Sequence, residues 1–358
     1  MLETISWPAL LTLAEQHGVI ALLASALQHC GEGVPPPGFE QKIRELHRGQ
    51  VLSTLKMTAE LFRLINLFRS ASPDVVLVKG PVLALRAYGD TGARRYGDLD
   101  FVVRQRDILR ATELMISAGY QNEISLDAIR ADKIPGQYTF VRTAAPLLVE
   151  LHTERTMRYF PRGLPVEDFF ARRQLVPVDG HEIPALAIED ELILICIHGA
   201  KHLWDRLTMV ADVAAYVACQ TSLNWECCFA TAQKIGANRM VNTGLLLARN
   251  LLRAPLPAHI ESRVQADRSA SRLAKQIAAW LPSAGHALPG LAARALFRAR
   301  MRGSAAAGFG YLLRLTFSPT QEDWSADGEN VPETSHSALA FLRRPVRLAK
   351  KYRSEKTP

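Results

Sequence analysis

Two short segments constrain this chain more than anything else in it: Asp98-Leu-Asp-Phe-Val-Val103 and Leu147-Leu-Val-Glu-Leu-His152, where carboxylates stand inside strongly apolar runs. Both have strand composition, and strand side chains alternate between faces. Asp98 and Asp100 therefore share one face while Leu99 turns to the other. Two like charges side by side on a strand are unfavourable unless a cation sits between them. Glu150, with apolar neighbours on both sides, is expensive to bury without a partner. Taken alone, the Asp-x-Asp pair reads equally well as a solvated sheet edge; the features around it shift the balance.

Those features begin upstream. Val75 to Val78 is a β-branched run typical of a buried strand, followed by Lys79-Gly80 and a helical segment over 81–88 with Pro81 in its first turn. The spacing predicts a helix over 106–119 and two strands over 138–142 and 147–152, joined by a turn through Pro146. Residues 6–29 and 39–70 have helical periodicity, separated by the breaker GEGVPPPGF. From Ile188 onward nearly everything reads as helix, broken near 255–257, 282–290 and 325–333. The expected fold is α+β: a small mixed-sheet core over 72–186, an N-terminal helical segment over 1–71 and a larger C-terminal helical region over 187–358.

Lys79-Gly80 lies between a strand and a helix, where glycine lets the backbone approach a phosphate and a helix N-terminus favours anions. Lys79 and Arg94 are suited to pair with phosphate oxygens. Three acids meeting at one point would support two divalent cations roughly 3.5–4 Å apart. Oxygen ligands of this kind suit Mg²⁺ or Mn²⁺, giving Asp98, Asp100 and Glu150 as metal-binding and catalytic candidates.

The formal net charge of +8 favours anionic partners, and from residue 291 onward twelve Lys and Arg stand against six Asp and Glu. A solvated basic face on C-terminal helices explains that excess equally well. No aromatic interleaving of the kind that stacks bases accompanies it, so nucleic acid is not the expected partner, with tRNA kept open as an acceptor. No apolar run approaches the roughly 20 residues of a transmembrane helix, and the N-terminus lacks the basic region of a secretory signal. The five cysteines form no CxxC pair, which argues against a structural zinc site and for reduced thiols in the cytoplasm.

The segment Leu77-Val-Lys-Gly-Pro-Val-Leu83, followed by Tyr88, Arg94 and the Asp98 strand, resembles the nucleotidyltransferase superfamily that includes DNA polymerase beta. More narrowly, the chain resembles the bacterial uncharacterised nucleotidyltransferase family. The likeness runs through Leu13-Ala-Glu-Gln-His17-Gly-Val19, Val149-Glu-Leu-His152, His198-Gly-Ala-Lys-His202-Leu-Trp-Asp-Arg-Leu207 with Asp212 beyond, and the tail signatures Phe317-Ser-Pro-Thr320, Asp323-Trp324 and Arg344-Pro-Val-Arg-Leu348. The resemblance implies a nucleotidyltransferase core and transfer of a nucleoside monophosphate from an NTP donor, with pyrophosphate released. Members of that family occur beside lasso-peptide and polysaccharide genes, so the implied acceptors include a peptide or saccharide intermediate. One residue departs from the pattern: Pro81 stands where the superfamily has serine or glycine, and proline offers no backbone N–H to a phosphate.

Further residues join the candidate site. His152 shares a strand face with Glu150 and would orient an acceptor or meet a phosphate, or serve as a structural hydrogen-bonding group. His198 and His202 are one helical turn apart, with Lys201 and Arg206 nearby as anion contacts. Gly199 follows the first of these histidines, which excludes the zinc-protease motif. The same helix also reads as a packing element, held through Trp204 and Leu207. The phosphate-binding expectation is thus Lys79, Gly80, Arg94, His152, His198, Lys201 and His202. Two other readings stay open: toxin-like nucleotidylation of a protein or tRNA, and a non-catalytic nucleotide-binding scaffold.

Overall fold

The computed structural model describes residues 5–317, apart from 30–34, 37, 72, 123, 131–135, 143–146, 155–162 and 284–289. The chain begins with α1 (Trp7–Gln16), α2 (Ile20–Gln28) and α3 (Phe39–Ala71), continues with β1 (Val75–Val78) and α4 (Gly80–Tyr88), and reaches β2 (Asp98–Val103). After α5 (Ile108–Ser117), β3 (Gln121–Asn122) and α6 (Leu126–Arg130) come β4 (Gln137–Arg142), β5 (Leu147–His152) and α7 (Val166–Arg172). A hairpin, β6 (Gln174–Val178) and β7 (His181–Ala185), precedes the helices α8 (Ile188–Lys201), α9 (Leu207–Cys219), α10 (Trp225–Lys234) and α11 (Asn238–Leu252). Next are α12 (Ala258–Ala266), α13 (Arg268–Trp280), α14 (Leu291–Arg300) and α15 (Ala305–Phe317).

The fold is α+β, with one seven-stranded mixed sheet in the order β3-β4-β5-β2-β1-β7-β6. β2 runs parallel to β5 and antiparallel to β1, so the two acid-bearing strands are direct neighbours at the centre. Alternation then sorts the sheet into two chemistries. Val75, Leu77, Leu99, Phe101, Val149 and Leu151 face one side and pack with Leu61, Leu64 and Phe68 of α3 and with Met115 of α5. Val76, Val78 and Val102 face the other side, where they join Leu192, Ile195 and Val213 of the helical region. Asp98, Asp100, Glu150 and His152 alternate onto that second face.

Three sequence expectations are revised. Gly18, in a left-handed conformation at φ 69°, divides the helical stretch over 6–29 into α1 and α2. The helix expected over 106–119 starts as a 3-10 turn and is α-helical only from Ile108 to Ser117. The hairpin of β6 and β7 was not foreseen; Pro177 interrupts its alternation, and a proline is tolerated there because β6 is the sheet edge. The turn at Pro146, the break near 325–333 and most of the basic tail with its motifs lie outside the described residues.

Polar contacts bind the helices to the sheet. Arg86 of α4 donates to Glu191 of α8 at 2.7 Å and to the Leu186 carbonyl at 2.8 Å. The loop between α4 and β2 is pinned by Gln50, which donates to the Gly92 carbonyl at 3.0 Å, and by the Thr58–Tyr96 hydroxyl pair at 3.0 Å. After α8 the chain reverses through Leu203 and Trp204, both left-handed at φ 60° and 54°. Two consecutive non-glycine residues in that region store roughly 1–3 kcal/mol each, held in place by surrounding packing. The packing is the fully buried Trp204 indole, seated over Gly199 and Gly244.

That slot gives a direct test. A Cβ on Gly199 would stand 2.6 Å from the Trp204 ring, whereas one on Gly310 of α15 would meet nothing within 4 Å. Gly199→Ala is therefore expected to lower the unfolding free energy by about 1–3 kcal/mol. Gly310→Ala should be neutral or slightly stabilising, and urea melts of the two variants make the comparison.

Candidate active site

The parallel register of β2 and β5 places Asp100 opposite Glu150, and Val102 opposite His152. The His152 imidazole leans back toward the acids: its Nε2 lies 2.9 Å from Asp100 Oδ1 and 3.3 Å from Glu150 Oε2. These three side chains offer donor atoms that all lie within 4.8 Å of one another. Gln137, on the other neighbour of β5, donates to Glu150 Oε2 at 3.0 Å and holds that carboxylate in place.

The remaining oxygen of Asp100 is taken by Lys79, whose Nζ lies 2.6 Å from Oδ2. Lys79 sits between β1 and α4 at φ 65° and ψ −140°, a conformation rare for anything but glycine, and Gly80 follows at φ 60°. This left-handed corner turns the ammonium back over the acid face. Nζ also approaches His198 Nδ1 of α8, at 3.4 Å, so the lysine bridges the sheet and the helical region.

The charges answer one another. Burial alone would push the Asp100 carboxyl up, but Lys79 and then His152 outweigh it and hold it well below the usual carboxylate range. Burial would likewise lower the Lys79 ammonium and the His152 imidazole. The charges of Asp100 and Asp98 raise the first, and hydrogen bonds to Asp100 and Glu150 raise the second. Asp98 behaves differently. It shares the face but lies outside the tight Asp100–Glu150–His152 set, and among the described residues its carboxylate makes no hydrogen bond or ion pair. Burial, reinforced by the Asp100 charge, raises its pKa.

On the helical side, His198 and His202 have ring centroids 4.5 Å apart. Burial and the Lys79 charge hold His198 well below the usual imidazole range. Burial, then Lys201, Lys79, Arg298 and Arg206, push His202 down to about 3. Two neutral imidazoles thus lie in a field of positive charge beside the acid face. Lys201 ends α8, and its carbonyl accepts from Arg298 Nε at 2.9 Å, which ties α14 to the same corner.

Arg94, expected to meet a phosphate, is held by a carboxylate of the helical region. Its Nε donates to Asp212 Oδ2 of α9 at 2.8 Å, and the Tyr88 hydroxyl donates to Oδ1 of the same carboxylate at 2.9 Å. Asp212 stands in the apolar helix segment Met209-Val-Ala-Asp-Val-Ala-Ala215. That is the signal that singled out Glu150, and it would have flagged Asp212 as well. Gln137 carried no comparable signal. The site therefore gathers Lys79, Asp100, Glu150, His152 and His198 tightly, with Asp98, His202 and Lys201 around them and Arg94 engaged at the rim.

Two outcomes follow from this geometry. If Arg94 and Asp212 act as a structural pair, a double-mutant cycle with Arg94→Gln and Asp212→Asn should show a coupling of about 1–3 kcal/mol in stability; additive effects would rule that pairing out as a source of stability. The second concerns pH. The folded chain holds His202 at about 3 against 6.5 for a free imidazole, so the unfolded chain takes up that proton first as the solution is acidified. The stability contributed by the neutral ring is complete above about pH 6.5 and drains away below it. His202→Gln should accordingly reduce the stability lost between pH 7 and pH 5 by roughly 1–2 kcal/mol. His152, whose pKa is raised, contributes with the opposite sign in both proteins and cancels in the comparison.

A profile of the uncharacterised nucleotidyltransferase family matches residues 3–253, which span every element from α1 to α11. No curated protein matches the chain at a significant level. Among solved structures the chain is similar to an antigenic nucleotidyltransferase-like protein from Paracoccidioides brasiliensis, with 14% identity and a TM-score of 0.32 over 63% of this chain and 91% of that one. At that distance the likeness carries no weight for the site or its chemistry.

Proposed function

Because this chain belongs to the uncharacterised nucleotidyltransferase family, we propose that it transfers a nucleoside monophosphate from an NTP to a hydroxyl or phosphate acceptor and releases pyrophosphate. The observation that carries the reading is the clustering of Asp100, Glu150 and His152 donors on neighbouring strands of one sheet, beside a buried lysine. The donor set suits a divalent cation such as Mg²⁺ or Mn²⁺, with two carboxylates and one imidazole able to converge on one point. Asp98, close by and unpaired among the described residues, would complete the acid face once a cation offsets its charge. A divalent cation held there supplies charge neutralisation for the triphosphate and lowers the pKa of an acceptor hydroxyl.

The chain's own groups divide the remaining work. Glu150, held by Gln137, is placed to take the proton of the acceptor as its oxygen bonds to the α-phosphorus and the bond to the β-phosphate breaks. Lys79, with the positive field of Lys201, Arg206 and Arg298 behind it, is the cationic wall against which a triphosphate would lie. The neutral His198 and His202 can donate to phosphate oxygens without adding charge to that wall. Acceptors in keeping with the resemblance are a peptide or a saccharide intermediate, with a protein or tRNA hydroxyl as the toxin-like variant. No described helix is long and apolar enough to cross a membrane. The setting we propose is the cytoplasm, which holds the NTP pool.

One observation favours a non-catalytic scaffold instead. Pro81 removes an N–H from the first turn of α4, where a phosphate would look for one. Calorimetric titration of ATP, GTP, CTP and UTP with Mn²⁺ or Mg²⁺, followed by turnover assays, separates the two. Under the transferase reading, Asp100→Asn and Glu150→Gln each lower turnover by at least about 100-fold with folding intact, because each removes a group acting on the transition state. Turnover unchanged in both variants would sink the assignment, and binding of a nucleotide without turnover would establish the scaffold.

A further inference from the structure

Away from the acid face, the molecule holds a second charged feature that the transferase reading does not use. Residues 238–317, from α11 to the end of α15, carry twelve Lys and Arg against two acids, Glu261 and Asp267. Both acids are already engaged. Glu261 lies 3.2 Å from Arg249 Nε, and Asp267 caps α13 by accepting from the backbone of Ser269 and Ala270. The family profile stops at residue 253, so α12 to α15 lie beyond it.

α11, α13, α14 and α15 frame a groove of about 520 Å³, lined by Arg239, Arg272 and Arg300 together with Leu296, Phe309 and Leu312. No acid lines it among the described residues. Arg239 reaches Asp267 only at 3.9 Å, and Arg300 donates to Gln276 Oε1 at 3.2 Å, a neutral partner that orients the guanidinium without offsetting its charge. The apolar part of the groove faces water, with Leu296 56% and Phe309 63% exposed. Phe309, Leu313 and Phe317 recur at every fourth residue of α15, all exposed, so one apolar stripe leads from the groove to the end of that helix. An exposed surface that is both apolar and basic fits an acidic stretch with an aromatic anchor.

The same chain contains such a stretch directly after α15. Between Arg314 and Arg343 there is no Lys or Arg, and Glu322, Asp323, Asp327, Glu329 and Glu333 stand close to Trp324 in sequence. Pro319 disfavours continuing the helix of α15. Phe309 lies eight residues before the end of α15, about 12 Å along the helix, and the seven residues from Phe317 to Trp324 can span up to about 23 Å. So short a tether gives the segment an effective concentration in the millimolar range at the groove, which an acidic partner, a second copy or an anionic membrane would have to exceed. We propose that residues 321–333 of this chain seat in the groove, with Trp324 against Leu296 and Phe309 and the neighbouring acids on Arg272 and Arg300.

The test uses the full chain labelled with 5-fluorotryptophan, whose five fluorine resonances are sorted by Trp324→Phe. The change in chemical shift between H₂O and D₂O reads the exposure of each indole. Trp324 is expected to show the small change of a buried ring. Arg272→Glu combined with Arg300→Glu, and separately Phe309→Ser, should each raise it to the value of free tryptophan. All three positions are exposed, and unchanged resonances of Trp7, Trp204 and Trp225 would report intact folding. A fully exposed Trp324 in the wild-type chain overturns the proposal. So does a buried Trp324 that neither groove variant releases, since the segment would then be seated elsewhere. Burial that weakens on dilution would assign the groove to a second copy and overturn it as well. An exposed Trp324, with capture by phosphatidylserine vesicles that the groove variants abolish, would give the surface to a membrane instead.

Discussion

The contact on which the rest of the site depends is the buried ion pair between Lys79 and Asp100, at 2.6 Å. Taking both charges out of water costs several kcal/mol, and a pair of this kind commonly stabilises no better than apolar groups of equal volume. Lys79 adds a backbone cost of its own, a left-handed conformation where glycine would be relaxed. A fold that retains both costs at one position has no stability argument for doing so. What the pair accomplishes is to keep an acid face intact inside a protein: with Lys79 and His152 as counter-charges, Asp100 stays ionised despite its burial.

The sheet order explains how those partners meet. β1, β2 and β5 are adjacent, so residues at the end of β1, in the middle of β2 and at the end of β5 come to one place although the sequence separates them by up to 73 positions. Alternation then does the sorting. Leu99, Phe101, Val149 and Leu151 are drawn into the apolar layer under α3, and this forces Asp98, Asp100, Glu150 and His152 onto the opposite face. A one-residue slip in the register of β5 would bury Glu150 among leucines and phenylalanines. The hydrophobic layer on one side of the sheet is therefore what specifies the polar site on the other.

This also accounts for which parts were legible beforehand. β2 and β5 could be read to the residue because a carboxylate inside an apolar strand is a local signal, and the shared face of Asp98 and Asp100 follows from alternation alone. Which strand lies next to which is not local. The approach of His152 to Asp100 across parallel strands depends on a register that no spacing encodes. The β6–β7 hairpin escaped for a different reason, since Pro177 spoils its alternation, while its own antiparallel ladder makes the pair and β7 joins it to the sheet beside β1. The suitability of Arg94 for phosphate contact follows from its place near the acids in sequence. Its carboxylate partner, Asp212, is 118 residues away and reaches it only because α9 packs on α4.

The helical region is then more than a cover. Trp204, wedged over Gly199 and Gly244, forces the chain through two left-handed residues directly after His202. α8 consequently ends at the site, with His198, Lys201 and His202 gathered at its last turn. Asp212 of α9 anchors Arg94 and Tyr88 on the opposite rim. The result is a separation of charge over a short distance, carboxylates on the sheet and positive charge on the helices, with Lys79 on the border between them. A ligand that is anionic along its length and needs a cation at one end matches that division better than a neutral or cationic one. The neutrality of the two histidines fits the same division. Protonated, they would add to a field already crowded with Lys79, Lys201, Arg206 and Arg298; neutral, they keep their hydrogen-bonding capacity without that repulsion.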